Sequence, residues 1–176
     1  MHKEKTVKEQ TIYDGKILKL NRDEVLLENG EKAIREVIHH SGGAGVLAID
    51  NDENLYLVKQ FRYPYHEEML EIPAGKLAPG EDPLTCAKRE LEEETGMTAD
   101  KWESLGEYRP TPGYTDEKLY IFLATKLKNG SQRLDEDEFL DVIKCDLFHA
   151  VKLIERGEIT DAKTVIAIYK YLIDRQ

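Results

Sequence analysis

The sequence has few cysteines and no long hydrophobic run, and both absences narrow the classes of protein to consider. Its 176 residues include two cysteines, Cys86 and Cys145, which lie far apart in apolar segments. That arrangement suits two reduced, buried thiols better than a disulfide or a zinc site. No apolar run approaches the roughly 18 residues that a membrane span needs, and the start lacks the apolar stretch of a signal peptide. We therefore expect a cytoplasmic protein with no membrane partner.

Positive charge is also scarce. The chain has 25 Lys and Arg against 35 Asp and Glu, which gives a net charge of −10. Such a chain repels phosphates overall and offers no basic surface to a nucleic acid. We expect no nucleic-acid partner, and any phosphorylated substrate has to be met by local cations.

Residues 1–40 are predicted to form a small antiparallel β-sheet. Strand-like segments flank Asn29-Gly30, and this dipeptide is a strong hairpin signal. A sheet this thin cannot bury its own core, so it should dock on the rest of the chain or on a partner subunit. We expect an N-terminal extension that serves dimerisation.

Residues 41–176 contain strands and helices in mixed order, which predicts an α/β sandwich with one main core. Asp82 can cap a helix that begins with Pro83 and ends at Gly96. A second hairpin is indicated on either side of a polar turn, Asp50–Asn54. Further strands are expected at 102–105, 118–125 and 139–144, and two closing helices after Asp146 and Thr160.

Four acids lie in the last turns of the predicted helix, where like charges and the helix dipole disfavour them. Glu90, Glu93 and Glu94 share one helix face, and Glu92 adds to the charge. An arbitrary acidic helix usually presents a solvated face. Carboxylate oxygens, however, are the ligands that magnesium takes together with substrate phosphate and water. We interpret the group as a metal site that binds phosphate despite the net negative charge.

The same stretch resembles the Nudix box of the Nudix hydrolase family. That pattern is a Gly, five residues, a Glu, seven residues, Arg-Glu-apolar, one residue, Glu-Glu, one residue and Gly-apolar. Every defined position is filled, by Gly75, Glu81, Arg89-Glu90-Leu91, Glu93-Glu94 and Gly96-Met97. The order of predicted elements also resembles the α/β/α sandwich of this family. The resemblance implies that fold, with the small N-terminal antiparallel sheet as an extension.

The resemblance assigns roles within the box. Glu90 and Glu94 are implied as the main metal ligands, with Glu93 in a supporting role and Arg89 orienting a carboxylate. The backbone carbonyl of Ala74 is implied as a further ligand. Three residues are implied to be structural: Gly75 makes a tight turn, Glu81 closes the loop onto the helix, and Gly96 ends the motif.

Outside the box, the chain resembles the ADP-ribose pyrophosphatase branch of the family. Thr111-Pro112-Gly113 places Pro112 and Gly113 where that branch has its downstream proline loop, so these two are candidate substrate-binding residues. Segments 70–75 and 60–62 are also similar to the branch. In the acidic loop 135–138, Glu136 matches the general base of the family and Glu138 a further metal ligand.

Two arginines are candidates for substrate binding. Arg62 follows a predicted strand beside the box, where its fork of donors could take ribose hydroxyls or phosphate oxygens. Arg35 resembles a family position that faces the nucleotide across a dimer interface. A surface arginine is the alternative in both cases. His39 and His40 lie at a strand end without a matching acid or cysteine partner nearby, so we expect a solvated or structural pair.

The expected activity is magnesium-dependent hydrolysis of ADP-ribose to AMP and ribose 5-phosphate by a homodimer, with manganese as a substitute. Alternatives remain open. One is a pyrophosphatase of another small nucleoside diphosphate sugar, such as GDP-mannose or an ADP-sugar. Another is a sensor that binds ADP-ribose without cleaving it, although a sensor has no need of these carboxylates.

Overall fold

The computed structural model describes residues 2–134 and 138–175. The chain divides into two compact units. One unit contains the N-terminal residues through Gly42 together with Arg109–Lys118. The other contains Gly43–Tyr108 and the chain from Leu119 onward.

The first unit is an antiparallel sheet built around one long strand. Its strands are β1 (Lys5–Lys8), β2 (Thr11–Asp14), β3 (Leu18–Leu26) and β4 (Lys32–His40). β3 pairs with β4 along one edge and with β1 and β2 along the other. Gly30 has a φ of 85° in the turn between β3 and β4, which confirms the predicted hairpin. Every residue of β1 and β2 is exposed, and their sequences have no apolar alternation that would have indicated strands.

The segment Arg109–Lys118 belongs to this unit because it bonds to β4. The N–H of Ile38 donates to the carbonyl of Tyr114 at 2.7 Å, and the N–H of Asp116 donates to the carbonyl of Ile38 at 3.1 Å. Asp116 Oδ2 also lies 2.6 Å from His39 Nδ1. His39 therefore has an acidic partner that the sequence did not indicate, since the partner comes from 77 residues away, and the contact agrees with a structural role.

In the described residues, the second unit is a seven-stranded mixed sheet with three helices. Its elements are β5 (Gly43–Ile49), β6 (Asn54–Arg62), β7 (Glu67–Glu71), β8 (Ala74–Lys76), α1 (Pro83–Thr95), β9 (Met97–Tyr108), β10 (Leu119–Asn129), β11 (Leu140–Asp146), α2 (Leu147–Glu155) and α3 (Ala162–Ile173). The central path of the sheet runs β11-β6-β5-β10-β9, with β7 paired to β6 and β8 paired to β5. β10 is parallel to β5, and the other pairs are antiparallel.

Helices cover both faces of this sheet. Successive residues of a strand point to opposite faces, and β5 accordingly divides its side chains between two apolar clusters. Val46 packs in the cluster that contains Leu91 of α1. Leu47 packs in the cluster that contains Leu153 of α2 and Ile168 of α3. This confirms the predicted α/β/α sandwich. Each such side chain contributes roughly 1.5–3 kcal/mol when fully buried.

The box helix has the predicted caps. Asp82 accepts a bond from Thr85 N–H at 3.0 Å, Pro83 is the first helical residue, and Gly96 ends the helix with a φ of 70°. The N–H of Gly96 donates to the carbonyl of Glu92 at 2.9 Å, as in a left-handed C-terminal cap. No helix in the described part of the chain is long and apolar enough to cross a membrane.

Candidate active site

The box helix turns two of its four acids inward. Glu90 and Glu94 lie one helical turn apart and are 7% and 3% exposed, on the face that also carries Leu91. The side chains of Glu92 and Glu93 are 42% and 40% exposed. The predicted shared face therefore divides in the structure, and only the pair separated by four residues is buried.

Arg89 hydrogen-bonds three carboxylates of the box. Its Nε donates to Glu81 Oε1 at 3.0 Å, and its Nη1 donates to Glu90 Oε1 at 2.6 Å and to Glu93 Oε2 at 2.9 Å. Glu81 also accepts a bond from Ala78 N–H at 2.9 Å, which ties the preceding loop to the helix. The hydrogen bond to Glu81, and then the charge of Glu90, raises the pKa of Arg89. Arg89 stays charged and fixes one oxygen of Glu90.

Gly75 lies in a strand and does not make the tight turn that the resemblance implied. It is the middle residue of β8, which pairs with β5. A Cβ on Gly75 would stand 1.9 Å from Oε1 of Glu90 and 2.1 Å from its Cδ. A glycine is needed here because a carboxylate occupies the space of the side chain.

Burial and mutual repulsion disfavour the ionised form of the inward pair. Burial, followed by the charge of Glu90, raises the pKa of Glu94 from 4.5 to about 8. Ala74 opposes this shift, since its N–H donates to Glu94 Oε2 at 2.9 Å. Burial also raises the pKa of Glu90, although Arg89 lowers it in part. The positive groups near Glu90 and Glu94 in the described residues therefore do not offset the cost of ionising both carboxylates.

The acidic loop is described only in part. Glu138 is half-buried. Burial is the largest cause of the raised pKa of Glu90 and of Glu94, and the charge of Glu138 is a smaller cause in both. Glu138 therefore lies near the pair. Glu136, the candidate general base, lies outside the described residues.

The donor set fits a divalent cation held partly by its substrate. In residues 2–134 and 138–175, no three Asp, Glu, His or Cys side chains are grouped so as to hold a metal ion by themselves. Magnesium, however, is usually bound through one or two carboxylates, with waters and substrate phosphates as the remaining ligands. Glu90 and Glu94 provide two such carboxylates, and a cation would supply the charge that they lack. The roles of Glu93, Glu138 and the Ala74 carbonyl remain predictions.

Arg62 is held by a buried carboxylate. Its Nε and Nη2 donate to the two oxygens of Glu71 at 2.5 and 2.6 Å. Glu71 is 2% exposed and is also paired with Lys163. The side chain of Arg62 nevertheless remains 37% exposed. Its place beside the box agrees with the prediction from sequence, and substrate binding by Arg62 remains a prediction.

The other candidate substrate residues belong to the first unit. Arg35, on β4, donates from Nε to Glu4 at 2.9 Å. Pro112 and Gly113 are exposed in the segment that bonds to β4. The box carboxylates belong to the second unit, so the candidates divide between the two units.

Comparison with family models then identifies the chain. The NUDIX domain model matches residues 39–167. The chain belongs to the Nudix hydrolase family. A second model, the nucleoside diphosphate sugar hydrolase N-terminal domain, matches residues 4–38 of this Nudix hydrolase. Nudix proteins are typically dependent on divalent metal ions.

Two curated relatives align with nearly the whole Nudix chain. The ADP-ribose pyrophosphatase of Bacillus subtilis (strain 168) is 44% identical over 167 residues, which are 94% of this chain and 90% of that protein. The methanol dehydrogenase activator of Bacillus methanolicus is 42% identical over 170 residues, 96% of this chain and 92% of that protein. A solved structure of an ADP compounds hydrolase matches with a TM-score of 0.85 at 24% identity, over 97% and 93% of the two chains. This last match supports the fold.

Reasoning from the sequence missed two residues beside the box, Glu71 and Lys163. Glu71 had a signal, because it stands between Leu70 and Ile72 in an apolar approach, and a buried carboxylate needs a partner. Lys163 had none, since a lysine in the first turn of a helix is usually solvated.

Proposed function

We propose that this Nudix hydrolase cleaves the pyrophosphate of ADP-ribose to AMP and ribose 5-phosphate with magnesium, for which manganese can substitute. The observation that carries the chemistry is the buried pair Glu90 and Glu94, which is short of positive charge beside an acidic loop. The substrate is supported by the ADP-ribose pyrophosphatase of Bacillus subtilis, 44% identical over nearly the whole chain. The name of the Bacillus methanolicus relative describes an effect on another enzyme, so it does not discriminate between nucleotides.

The cation site in this proposal is formed by Glu90, Glu94, Glu138 and the carbonyl of Ala74. A divalent cation there would neutralise pyrophosphate oxygens and lower the pKa of a nearby water. Arg89 holds Glu90 in place through the 2.6 Å bond from Nη1.

The chain itself supplies the proton acceptor and the substrate contacts. Glu136 accepts the proton of the attacking water, whose oxygen bonds to one phosphorus. The bond from that phosphorus to the bridging oxygen breaks, and the bridging oxygen leaves with the other phosphate. Arg62 binds a phosphate or ribose of the substrate, and Arg35, Pro112 and Gly113 stay candidate substrate-binding residues of the first unit.

We also propose a homodimer formed through the N-terminal sheet. The thin sheet cannot bury its own apolar face, and the N-terminal segment exposes several large apolar side chains, as an interaction surface does. Those at least 41% exposed are Val7, Ile12, Tyr13, Ile17 and Ile34. Light scattering at micromolar concentration should give twice the monomer mass. A fully active monomer would contradict the dimer without affecting the proposed reaction.

A substrate panel tests the activity. ADP-ribose, GDP-mannose and ADP-glucose are each incubated with magnesium, and the products are separated and quantified. We expect kcat/KM for ADP-ribose to exceed that of the others by about tenfold or more, with AMP and ribose 5-phosphate in equal amounts. A preference for GDP-mannose would transfer the assignment to a nucleotide-sugar pyrophosphatase. Binding of ADP-ribose without turnover of any substrate would favour the sensor.

A further inference from the structure

The chain that leads from β7 into β8 is fixed by hydrogen bonds that it donates to two helices. Thr164, completely buried near the start of α3, accepts a bond from Ile72 N–H at 2.8 Å. Glu94 on α1 accepts a bond from Ala74 N–H at 2.9 Å. This segment therefore connects the start of α3 to the carboxylate pair of the site.

Lys163 occupies a fixed position beside this segment. Its ammonium group pairs with Glu71 and lies 3.0 Å from Asp161 Oδ1, and its side chain is only 13% exposed. Asp161 is itself held, since its Oδ2 accepts bonds from Thr164 N–H at 3.0 Å and from Thr164 Oγ1 at 2.6 Å. The N-terminal cap of α3 thus places Lys163 against Glu71.

Glu71 in turn holds Arg62 through two hydrogen bonds. Its Oε2 accepts from both Lys163 and Arg62 Nη2, while its Oε1 accepts from Arg62 Nε. A carboxylate held by two cations cannot rotate freely, so the plane of the guanidinium is set as well. No acceptor in the described part of the chain bonds Nη1 of Arg62, which leaves this nitrogen for a ligand.

Arg62 also lies within electrostatic range of Glu94. The hydrogen bond to Glu71 is the main reason that the pKa of Arg62 is raised, and the charge of Glu94 adds to it. The exposed side of the guanidinium therefore belongs to the surroundings of Glu94, one of the two carboxylates at which the proposed function places the cation.

We propose that Lys163 is a positioning residue that acts through Glu71 to hold Arg62 in the orientation that binds the substrate. This inference rests on the proposed function, because it takes Arg62 as a substrate contact. Lys163 itself does not touch the substrate. A solely structural Lys163 would stabilise the fold without affecting Arg62, and the following experiments separate the two roles.

Steady-state kinetics of Lys163→Met with ADP-ribose is the first test. Loss of orientation in a group that binds substrate and transition state alike raises KM and leaves kcat nearly unchanged. We expect KM to rise about tenfold to a hundredfold, the usual cost of a small misplacement. Lys170→Met is the matched control, since Lys170 lies on the same helix and its ion pair among the described residues is with exposed Asp174. A lower melting temperature of Lys163→Met with unchanged KM would overturn the proposal.

A double-mutant cycle then tests the route through Glu71. In Glu71→Gln the anion that connects the two cations is absent, so adding Lys163→Met should change KM by less than about twofold. Equal factors in the Glu71→Gln and wild-type backgrounds would show that Lys163 acts independently, and would overturn the proposal. The double variant also leaves no unpaired buried glutamate, which favours its folding.

An NMR measurement decides the inference even if wild type does not hydrolyse ADP-ribose, an outcome that would refute the proposed function alone. The probe is the ¹⁵Nε–H signal of Arg62, assigned by its loss in Arg62→Lys. We expect this proton to exchange slowly with water in wild type and in Lys170→Met, and at least about tenfold faster in Lys163→Met. Equal exchange in wild type and Lys163→Met would contradict the proposal.

Discussion

The described residues of the second unit bury carboxylates in two places, and the pKa shifts in opposite directions at the two places. Burial alone would raise the pKa of Glu71, but hydrogen bonds and charge from Arg62 and Lys163 outweigh it and lower the pKa. Burial raises the pKa of Glu94 to about 8, and the neighbouring Glu90 adds to the shift. The first carboxylate is compensated by the chain itself.

This difference separates a structural ion pair from a binding site. An uncompensated buried charge is costly, and carboxylates with strongly perturbed pKa values cluster at sites where a ligand supplies the missing charge. Glu71 is part of the scaffold, which keeps its place with or without a ligand. Under the proposed function a cation completes Glu90 and Glu94, so we expect this pair to be the part of the molecule that responds to metal.

The largest effect is expected from Glu136→Gln, which removes a proton acceptor and leaves both buried sites intact. The kcat for ADP-ribose should fall by roughly 10² to 10⁴, the usual contribution of a positioned base. The magnesium concentration for half-maximal rate should stay the same, because Glu136 is not proposed as a ligand. A kcat close to wild type at saturating magnesium would exclude this residue as the base.

Glu94→Gln and Glu71→Gln test the comparison directly. Loss of a residue that hydrogen-bonds a metal ligand typically lowers metal affinity or activity 10–100-fold. Loss of the ligand itself in Glu94→Gln should therefore lower the activity by about 100-fold or more. The magnesium requirement should rise as well. Glu71→Gln should keep the wild-type magnesium requirement while losing stability and raising KM. A magnesium requirement that changes equally in both variants would remove the distinction between the two sites.

Gly75→Ala should alter the site while sparing the fold. The new Cβ would displace the carboxylate of Glu90, from which it would stand 1.9 Å. Since the displaced atoms form the end of a flexible side chain, the free energy of unfolding should change by less than about 2 kcal/mol. Activity should fall about 10- to 100-fold with a higher magnesium requirement. Wild-type kinetics in this variant would show that the carboxylate position is not needed.

The two carboxylates should also differ in how they link stability to pH. Glu94, with its pKa raised from 4.5 to about 8, favours the folded metal-free protein fully below pH 4.5, and this contribution is lost as the pH rises through about 8. Glu71, with a lowered pKa, contributes above its usual pKa and loses that contribution as the pH falls through its folded value. In chelator, the melting temperature of wild type should therefore fall between pH 5 and pH 8.5 by a few degrees more than that of Glu94→Gln. Equal changes of melting temperature with pH in wild type and Glu94→Gln would contradict the raised pKa of Glu94.

Local features of the fold could be predicted from the sequence, whereas contacts between distant segments could not. Asp82, Pro83 and Gly96 define the box helix because caps depend on neighbouring residues. The pairing of Glu71 with Lys163 joins residues 92 apart. The helix and strand periodicities of a sequence relate only neighbouring residues, so they do not predict a contact between such distant residues.

The same limit applies inside the candidate site. The box spacing places Glu90 and Glu94 on one face of the helix, because a helix repeats every 3.6 residues, but it also grouped the exposed Glu93 with them. The family resemblance implied a turn at Gly75. The structure instead shows that the glycine makes room for Glu90, a side chain 15 positions later in the sequence.

Calorimetric titration of magnesium into metal-free protein at pH 8.5 tests the central claim most directly, with wild type, Glu94→Gln and Glu71→Gln compared under the same conditions. If Glu90 and Glu94 form the cation site, wild type and Glu71→Gln should bind magnesium with similar affinity. Glu94→Gln should bind at least about tenfold more weakly. Equal affinity in Glu94→Gln and wild type would contradict the account.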